Sequence, residues 1–379
     1  MEQNEKIVGF MPSENPYVVE HGGFYRRWFS MIQDIDEFKS WVEKVESTNE
    51  EKWVPLWKEA GKKFESLGET ELLKSNFDKA KEYFLTAKTY YSIGRFPGNL
   101  SSVKSAINED CIRTYGKAIQ FNDPPTQIID IPHQGKNMRC HLRVPKGRGP
   151  FPAVLIMCGS DVFKEDRGWA GDFAVENSMV SLVMDAPGTG ENPISGEPSS
   201  VSAWIEAIDF LASHESVIED RIGAFGISRG GYSVLQLAGS YPEMVKAVVA
   251  IAGHPFGYQM SEAELKSFVA ARNKRTEYIF GPKGGGLSFP KWSIAYEQEL
   301  FNKWSLSSLG LLDQITQPVL MINGKRDHLS PIGNIYFMLE NGPVTGREAR
   351  IYPDAGHCAF KYFDHWGKES FKWLKQKVG

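Results

Sequence analysis

The sequence predicts an α/β fold in which a mostly parallel, doubly wound sheet follows an all-helical N-terminal region. In the first third of the chain, apolar residues recur at the i, i+3, i+4 and i+7 spacing of helices that bury one face. Beyond it, short apolar runs alternate with helical patterns, as in parallel strands covered by helices on both faces. The sequence Asn-Asp-Pro-Pro at residues 122–125 breaks the helical pattern between the two parts.

Two domains are predicted on either side of this break. Residues 1–123 form a helical domain, with helices expected over residues 37–45, 53–64, 77–91 and 102–121. Residues 124–379 form the sheet domain, and residues 258–302 within it are predicted to be an insertion near the active site, rich in glycine at 281–286. No helical repeat is sustained over three copies, so a solenoid is excluded.

The sheet domain begins with two paired strands and continues with five apolar ones. The pair is predicted at residues 127–132 and 138–144, joined by a turn at 134–137. The apolar strands are predicted at residues 153–157, 180–184, 222–225, 245–250 and 319–322. A further strand ending at Tyr352 and an amphipathic helix over residues 363–378 follow.

Composition excludes several classes of protein. The 379 residues carry a formal net charge of −4, whereas nucleic-acid binding needs a concentrated basic surface. The polar, acidic N-terminal residues do not resemble a secretory signal, and no apolar run in the sequence is long enough to span a bilayer. The four cysteines form no CxxC pair, so neither disulfides nor zinc is expected. We expect a cytoplasmic protein without metal, other cofactor, nucleic-acid or membrane partner.

The motif at residues 226–231, GISRGG, carries the main functional signal. It follows an apolar strand and precedes a helical stretch, which is the context of a nucleophile elbow. Glycines flank the serine of such a turn because neighbouring β-carbons would collide there. Ser228 is therefore the candidate nucleophile, and the backbone N–H of Arg229 is expected to face the developing oxyanion. A plain glycine-rich turn is the alternative.

A serine hydroxyl needs a base, and in elbow-type hydrolases the acid and then the histidine follow the serine along the chain. Of the four histidines after Ser228, His357 follows a strand and two small residues, just before the last predicted helix. It is the candidate base. His254 follows the strand after the elbow and is expected to line the pocket, whereas His328 and His365 are expected at the surface or in packing roles.

Asp327 is the candidate acid, because it follows the apolar strand at 319–322 at the edge where the sites of α/β sheets gather. Its carboxylate would orient the imidazole and stabilise the imidazolium. The rival carboxylates are Asp313, Asp354 and Asp364. Asp354 lies only three residues before His357 and is expected to shape its turn, and an Asx-turn is the alternative role of Asp327.

The loop after the strand at 153–157 is expected to supply the second oxyanion donor, from the backbone N–H of Ser160 or Asp161. Two roles are open for the Asp161 side chain. If it faces the pocket, it is a substrate-binding or proton-transfer group with a raised pKa. If it does not, it caps the following helix.

Together these features resemble the FrsA-like family of α/β-hydrolases, which includes the 2,6-dihydroxypseudooxynicotine hydrolase and fungal hydrolases that shorten polyketide pigment precursors. The resemblance covers most of the chain. Besides the helical leader, it is carried by residues 155–161 (LIMCGSD), 185–190 (DAPGTG), 226–232 (GISRGGY), 323–327 (NGKRD) and 356–357 (GH). It implies an α/β-hydrolase fold with residues 1–123 as a helical lid, a substrate held between the two domains, and often a homodimer.

Several members of this family are similar in cleaving a C–C bond next to a ketone. Their loop after the third strand often reads Gly-Gly-Leu followed by Asp or Glu, with the acid near the reacting carbonyl. Here the corresponding residues are Cys158, Gly159, Ser160 and Asp161, which keep the acid but replace one glycine and the leucine. The resemblance therefore leaves both C–C cleavage and ester or lactone cleavage open.

The sequence thus predicts a cofactor-independent serine hydrolase that acts on a bulky, aromatic or polyketide-like carbonyl compound. Ser228 attacks the carbonyl carbon, and His357, oriented by Asp327, moves the proton to the leaving group. One alternative uses the same triad for acyl transfer or cyclisation. Another is a non-enzymatic interaction protein built on a hydrolase scaffold.

Overall fold

The structure is a computed structural model, and it describes residues 27–28, 31–98, 101–280, 292–344 and 346–379. The described residues divide into two compact units. One comprises residues 27–125 and 274–280, and the other comprises residues 126–273 and 292–379. The glycine-rich stretch at 281–286 lies outside the described residues.

The described N-terminal residues of the first unit contain the helices α1 (Ile35–Val42), α2 (Glu50–Leu73), α3 (Phe77–Arg95) and α4 (Ser102–Ile119). Their apolar faces meet in an aromatic core. Trp57 is fully buried there and stacks on Phe38 and Tyr90, with ring centroids 6.1 and 6.0 Å apart. The helical spacing of apolar residues in the sequence therefore produces the core of this unit.

The second unit contains one eight-stranded sheet in the order β1-β2-β4-β3-β5-β6-β7-β8. The strands are β1 (Thr126–His133), β2 (Lys136–Arg143), β3 (Phe151–Met157), β4 (Val180–Met184), β5 (Val217–Ile227), β6 (Ala247–Ile251), β7 (Val319–Gly324) and β8 (Arg347–Tyr352). β2 pairs antiparallel with both β1 and β4, and all the other pairs are parallel. This is the mostly parallel sheet that the sequence predicts.

Helices cover both faces of the sheet. They are α5 (Gly168–Glu176), α6 (Val201–Ala212), α7 (Arg229–Ser240), α10 (Gly333–Glu340) and α11 (Phe363–Val378). Two further helices precede α10 along the chain: α8 (Glu262–Phe280), whose residues from 274 onward belong to the first unit, and α9 (Ile294–Trp304). Successive β3 residues point to opposite faces, so Leu155 packs in one apolar cluster with α6 and α7, while Ile156 packs in another with α5 and α11. Every residue of β3 after Phe151 is buried, as expected for a strand covered on both sides.

Element boundaries depart from the prediction where polar residues belong to a strand. β5 begins at Val217 rather than Ile222, because its pairing with β3 starts before the apolar run. The first hairpin turns on two residues, Gln134 and Gly135, both at positive φ, so Lys136 already belongs to β2. Backbone hydrogen bonds determine where β2 and β5 begin, and the hydrophobic pattern of the sequence does not show these bonds.

Parallel strands direct their carboxyl ends to one edge of the sheet, where loops collect side chains from distant parts of the sequence. The loops after β3, β5 and β7 lie at this edge. All four cysteines are buried and free of disulfides. No helix in the described part of the chain is both long and apolar enough to cross a membrane.

Candidate active site

Ser228 lies on a sharp turn between β5 and α7. Its φ of 58° and ψ of −115° are angles that a residue with a side chain rarely adopts. A Cβ on Gly226 would overlap the Gly230 carbonyl oxygen, and a Cβ on Gly230 would overlap the Met157 carbonyl oxygen. The flanking positions therefore accept only glycine, and the strained turn fixes where the Ser228 hydroxyl points.

The structure brings Ser228, His357 and Asp327 into one chain of hydrogen bonds. His357 Nε2 lies 2.9 Å from Ser228 Oγ, and His357 Nδ1 lies 2.7 Å from Asp327 Oδ2. When Nδ1–H donates to the carboxylate, Nε2 of the neutral ring accepts the hydrogen bond from the Ser228 hydroxyl. The arrangement can take the hydroxyl proton as the oxygen attacks a carbonyl carbon.

Asp327 lies in the loop between β7 and α10 (residues 325–332, the acid loop), with its side chain fully shielded from solvent. Its Oδ2 accepts a hydrogen bond from Asn323 Nδ2 at 2.8 Å, and its Oδ1 accepts one from the Leu329 N–H at 2.7 Å. Asn323 Oδ1 also accepts the Cys358 N–H at 3.1 Å. This amide, which the sequence analysis missed, links the acid loop to the residue that follows His357.

The pKa values of the histidine and the acid move in opposite directions. Burial alone would raise the pKa of Asp327, but the neighbouring His357 and the hydrogen bonds from His357, Asn323 and the Leu329 N–H lower it. Burial alone would lower the pKa of His357, but the Asp327 carboxylate raises it above its usual value. The pair therefore favours the imidazolium that forms when a serine proton is transferred.

His254 and Arg272 contact the same carbonyl oxygen of the acid loop. His254 Nδ1 lies 3.3 Å from Leu329 O, and Arg272 Nη2 donates to that oxygen at 3.0 Å. The His254 ring also stacks on Phe256, with centroids 4.3 Å apart. Burial and the nearby Arg272 lower the pKa of His254 to about 3, so this ring stays neutral. Its role in substrate binding remains a prediction.

The loop between β3 and the next 3-10 helix (residues 158–163, the β3 loop) runs beside the nucleophile. A Cβ on Gly159 would lie 3.2 Å from Ile227 O and 3.5 Å from Ser228 Cβ. Ser160 in this loop is exposed. Arg229 begins α7, so its N–H belongs to the first turn of that helix, where backbone donors are not used by the helix itself. The oxyanion role of both N–H groups remains a prediction.

Asp161 is half-buried in the β3 loop. The 3-10 helix that follows, Lys164–Arg167, has Phe163 as its N-cap residue and no side-chain cap. Asp161 is therefore not the residue that caps this helix. Contact with substrate or proton transfer by Asp161 remains a prediction.

The competing acids and histidines lie in other surroundings. Asp354 forms an ion pair with Lys361 and accepts a hydrogen bond from Tyr362 Oη at 2.6 Å, within its own loop. His365 Nδ1 lies 2.6 Å from Tyr352 Oη. The remaining candidates are exposed: Asp313, His328 and Asp364. In the described residues, His357 is the histidine whose ring is hydrogen-bonded to Ser228.

Sequence reasoning also missed a set of buried charges that follows the β3 loop. Residues 164–167 read KEDR, which as a sequence is typical of a solvated surface, yet all four are buried. Lys164 Nζ lies 3.1 Å from Oδ2 of Asp185, which is buried as well. Two features of the sequence pointed to this region: the position of the run, directly after a loop already expected at the active site, and the DAPGTG motif that begins with Asp185.

The strand order, the turn at Ser228 and the position of His357 after the last strand define the class of protein, which is the α/β-hydrolases. More narrowly, the chain belongs to the FrsA-like esterase family, whose model matches residues 36–378. This match confirms the resemblance that the sequence motifs indicate.

Two related proteins and one solved structure illustrate the likeness. The 2,6-dihydropseudooxynicotine hydrolase of Paenarthrobacter nicotinovorans is 22% identical over 335 residues, which cover 87% of this chain and 86% of that protein. The α/β hydrolase gkaG of Penicillium citrinum is 25% identical over 235 residues, 58% of this chain and 55% of that protein. A crystal structure of the 2,6-dihydroxy-pseudo-oxynicotine hydrolase matches with a TM-score of 0.75 and 19% identity, covering 93% of this chain and 95% of that chain. The structural likeness confirms the α/β-hydrolase fold with its N-terminal helical region.

Proposed function

We propose that this α/β-hydrolase is a cofactor-independent serine hydrolase acting on a small-molecule carbonyl compound. Ser228 is the nucleophile, His357 the general base and acid, and Asp327 the carboxylate that orients His357. The hydrogen-bonded chain from the strained Ser228 to the buried Asp327 carries this proposal. A serine hydroxyl becomes an effective nucleophile only when a base accepts its proton during attack.

The reaction follows from these positions. Ser228 Oγ attacks the carbonyl carbon while its proton moves to His357 Nε2, and the Asp327 carboxylate stabilises the resulting imidazolium. The backbone N–H groups of Arg229 and Ser160 stabilise the oxyanion of the tetrahedral intermediate. His357 then gives its proton to the leaving group. In the second half, water loses a proton to His357 and attacks the acyl group, which releases the acid and restores Ser228.

Two leaving groups are compatible with this scheme. Cleavage of an ester or lactone expels an alkoxide, whereas cleavage of a C–C bond next to a ketone expels an enolate. The acidic side chain of Asp161 in the β3 loop supports the second course, because the family resemblance implies an acid near the reacting carbonyl, where it can take part in proton transfer to the enolate. Membership of the FrsA-like family, with a relative named for the hydrolysis of 2,6-dihydropseudooxynicotine, supports a bulky organic substrate.

The proposal is tested with 4-nitrophenyl butyrate and 1-phenyl-1,3-butanedione, each incubated in ¹⁸O-labelled water. We expect one ¹⁸O atom in the carboxylate product of at least one of the two, because water resolves the acyl-enzyme. Turnover of the ester alone identifies an esterase, and turnover of the diketone identifies a C–C hydrolase. Product without the label would contradict hydrolysis and favour acyl transfer or cyclisation, for which the acceptor is a substrate hydroxyl or amine.

Three further expectations remain predictions. They are the role of residues 1–123 as a lid, the homodimer that the family resemblance implies, and a cytoplasmic location. Sedimentation velocity of the full chain measures the second directly, since a dimer doubles the mass of 42.6 kDa.

A further inference from the structure

We propose that Lys164, Asp185 and Glu191 form a buried ionic clamp that positions the β3 loop against Ser228. These three are positioning residues rather than catalytic ones, because they act through the backbone of residues 158–163. The inference rests on the proposed function, since the loop matters for catalysis only if Ser228 reacts.

The β3 loop is attached to β4 and its following turn at both ends. At its start, the Cys158 N–H donates to Met184 O at 3.1 Å. At its end, the Lys164 N–H donates to Asp185 Oδ1 at 2.7 Å. Met184 is the last residue of β4, and Asp185 follows it directly. The position of the loop is therefore set by the end of the neighbouring strand.

Charge strengthens the second attachment. The Lys164 ammonium group lies 3.1 Å from Asp185 Oδ2, 2.8 Å from Glu165 Oε1 and 2.6 Å from Glu191 Oε2, and its side chain has no exposed surface. Asp185 also accepts the Glu191 N–H at 3.0 Å, so its carboxylate receives three donors from two chain segments. Directional bonds of this number hold the β3 loop and the turn after β4 in one arrangement.

Stability alone does not account for these charges. A buried ion pair contributes little net stability, because desolvation offsets most of the attraction, and apolar residues of similar size often do as well. What charged groups add is a defined geometry. Here the charged groups fix the end of the β3 loop and thereby the position of Gly159, whose backbone lies against Ile227 and Ser228.

Two glycines of the turn after β4 provide a matched pair of variants. Gly188 and Gly190 both have positive φ, 76° and 55°, so alanine introduces left-handed backbone strain at either one. A Cβ on Gly190 would overlap the Asp185 carboxylate, whereas a Cβ on Gly188 meets nothing closer than 3.6 Å. Gly190→Ala therefore displaces the clamp without removing a charge, and Gly188→Ala reproduces the strain alone.

The experiment compares kcat and KM for 4-nitrophenyl butyrate, together with the rate of Ser228 phosphonylation by a fluorophosphonate. We expect Gly190→Ala to lower kcat and the phosphonylation rate by about 10- to 100-fold, short of the full loss of one oxyanion donor, with KM within about twofold. Gly188→Ala should keep both rates within about threefold of the wild type. Equal rates in the two variants, or a change confined to KM, would overturn the clamp.

A second pair covers the case in which Gly190→Ala does not fold. Lys164→Met removes the clamp's cation, and Arg143→Met removes another buried cation of the same unit, which pairs with Asp172 on α5. We expect a fall in kcat for the first and only lower stability for the second. Equal kcat values for Lys164→Met and Arg143→Met would contradict the inference.

Failure of the proposed function is recognisable separately. In that case wild-type protein shows no phosphonylation at Ser228 and no ester turnover. If the wild type reacts and Ser228→Ala does not, but the two glycine variants behave alike, only the clamp is refuted.

Discussion

The elbow and the β3 loop, which flank the proposed position of the reacting carbonyl, are held in place by different forces. At the elbow, close contact between backbone atoms leaves room for glycine only, as at Gly226 and Gly230. At the β3 loop, the contacts that hold the chain end in buried charged groups, Lys164 and Asp185. The elbow is fixed by shape, whereas the far end of the β3 loop is attached through charged groups.

This difference explains which part of the site can be predicted from the sequence. Steric demands act between near neighbours, so GISRGG shows the elbow within six residues. The charged groups that hold the β3 loop are far apart in the sequence, because Asp185 and Glu191 lie 21 and 27 residues after Lys164. The residues around them do not distinguish them from surface charges. Steric constraints can therefore be predicted from residue spacing, whereas buried charges are recognised only in the folded structure.

The largest effect is expected for Ser228→Ala, which tests whether the strained turn carries the reactive group. Turnover should fall by about 10⁵- to 10⁶-fold, as for other serine hydrolases that lose the nucleophile. Ser233→Ala on the same helix is the control, since its hydroxyl bonds only to Arg229 O in the described contacts. If the Ser228→Ala enzyme keeps a few per cent of the wild-type activity, the Ser228 hydroxyl is not the nucleophile.

The next effect concerns charge at the site rather than shape. Asp327→Asn should lower kcat by about 10⁴-fold, because the amide leaves His357 with the wrong ring nitrogen protonated. Asp354→Asn, which changes a half-buried carboxylate in the loop of His357, is the control and should change kcat little, because Asp354 contacts Lys361 and Tyr362 rather than the triad.

The pH profile adds a signed test. The base must be neutral to accept a proton, so kcat/KM should rise with pH through the pKa of His357, which Asp327 raises above 6.5. In Asp327→Asn, the midpoint of this rise should move to lower pH because the stabilising anion is gone. A midpoint that stays in place would mean that another group controls the rate.

Sterics at the elbow predict a measurable loss of stability. Gly226→Ala places a methyl group on a backbone oxygen and should lower the free energy of unfolding by about 1–3 kcal/mol, measured with urea. Gly223→Ala in the same strand is matched to it, because its Cβ first meets Leu374 Cδ2 at 3.1 Å, the end of a movable side chain. Equal losses in the two variants would show that the elbow is not specially constrained.

The smallest effect is expected in the acid loop, where Arg272 donates to Leu329 O and lies close enough to attract Asp327. Arg272→Met should lower kcat only about threefold. It should also move the midpoint of the pH profile upward, since removal of a cation favours the imidazolium. Lys266→Met, an exposed position on the same helix, is the control. A downward shift of the midpoint would contradict this electrostatic role.

The fold was largely predictable, because helical and strand spacing reflect burial on one or both faces. The strand Val180–Met184 and the helix Phe363–Val378 begin and end where the sequence predicts. The start of β5 was not predictable, because its first residues join the sheet through backbone bonds.

His357 and Asp327 were predictable, because the order of serine, acid and histidine along the chain identifies them. Asn323 was not, because an amide in a loop after a strand has no pattern that separates a supporting role from a turn. Its three contacts, with Asp327, Ser330 and Cys358, appear only when the loops after β7 and β8 are brought together.

The most direct test of the central claim is covalent labelling of the full chain with a fluorophosphonate, followed by peptide mapping. We expect one phosphonyl group on Ser228, formed faster as pH rises through the pKa of His357 and absent in Ser228→Ala. Folded wild-type protein that takes no label, or takes it on another residue, would contradict the assignment of Ser228 as the nucleophile.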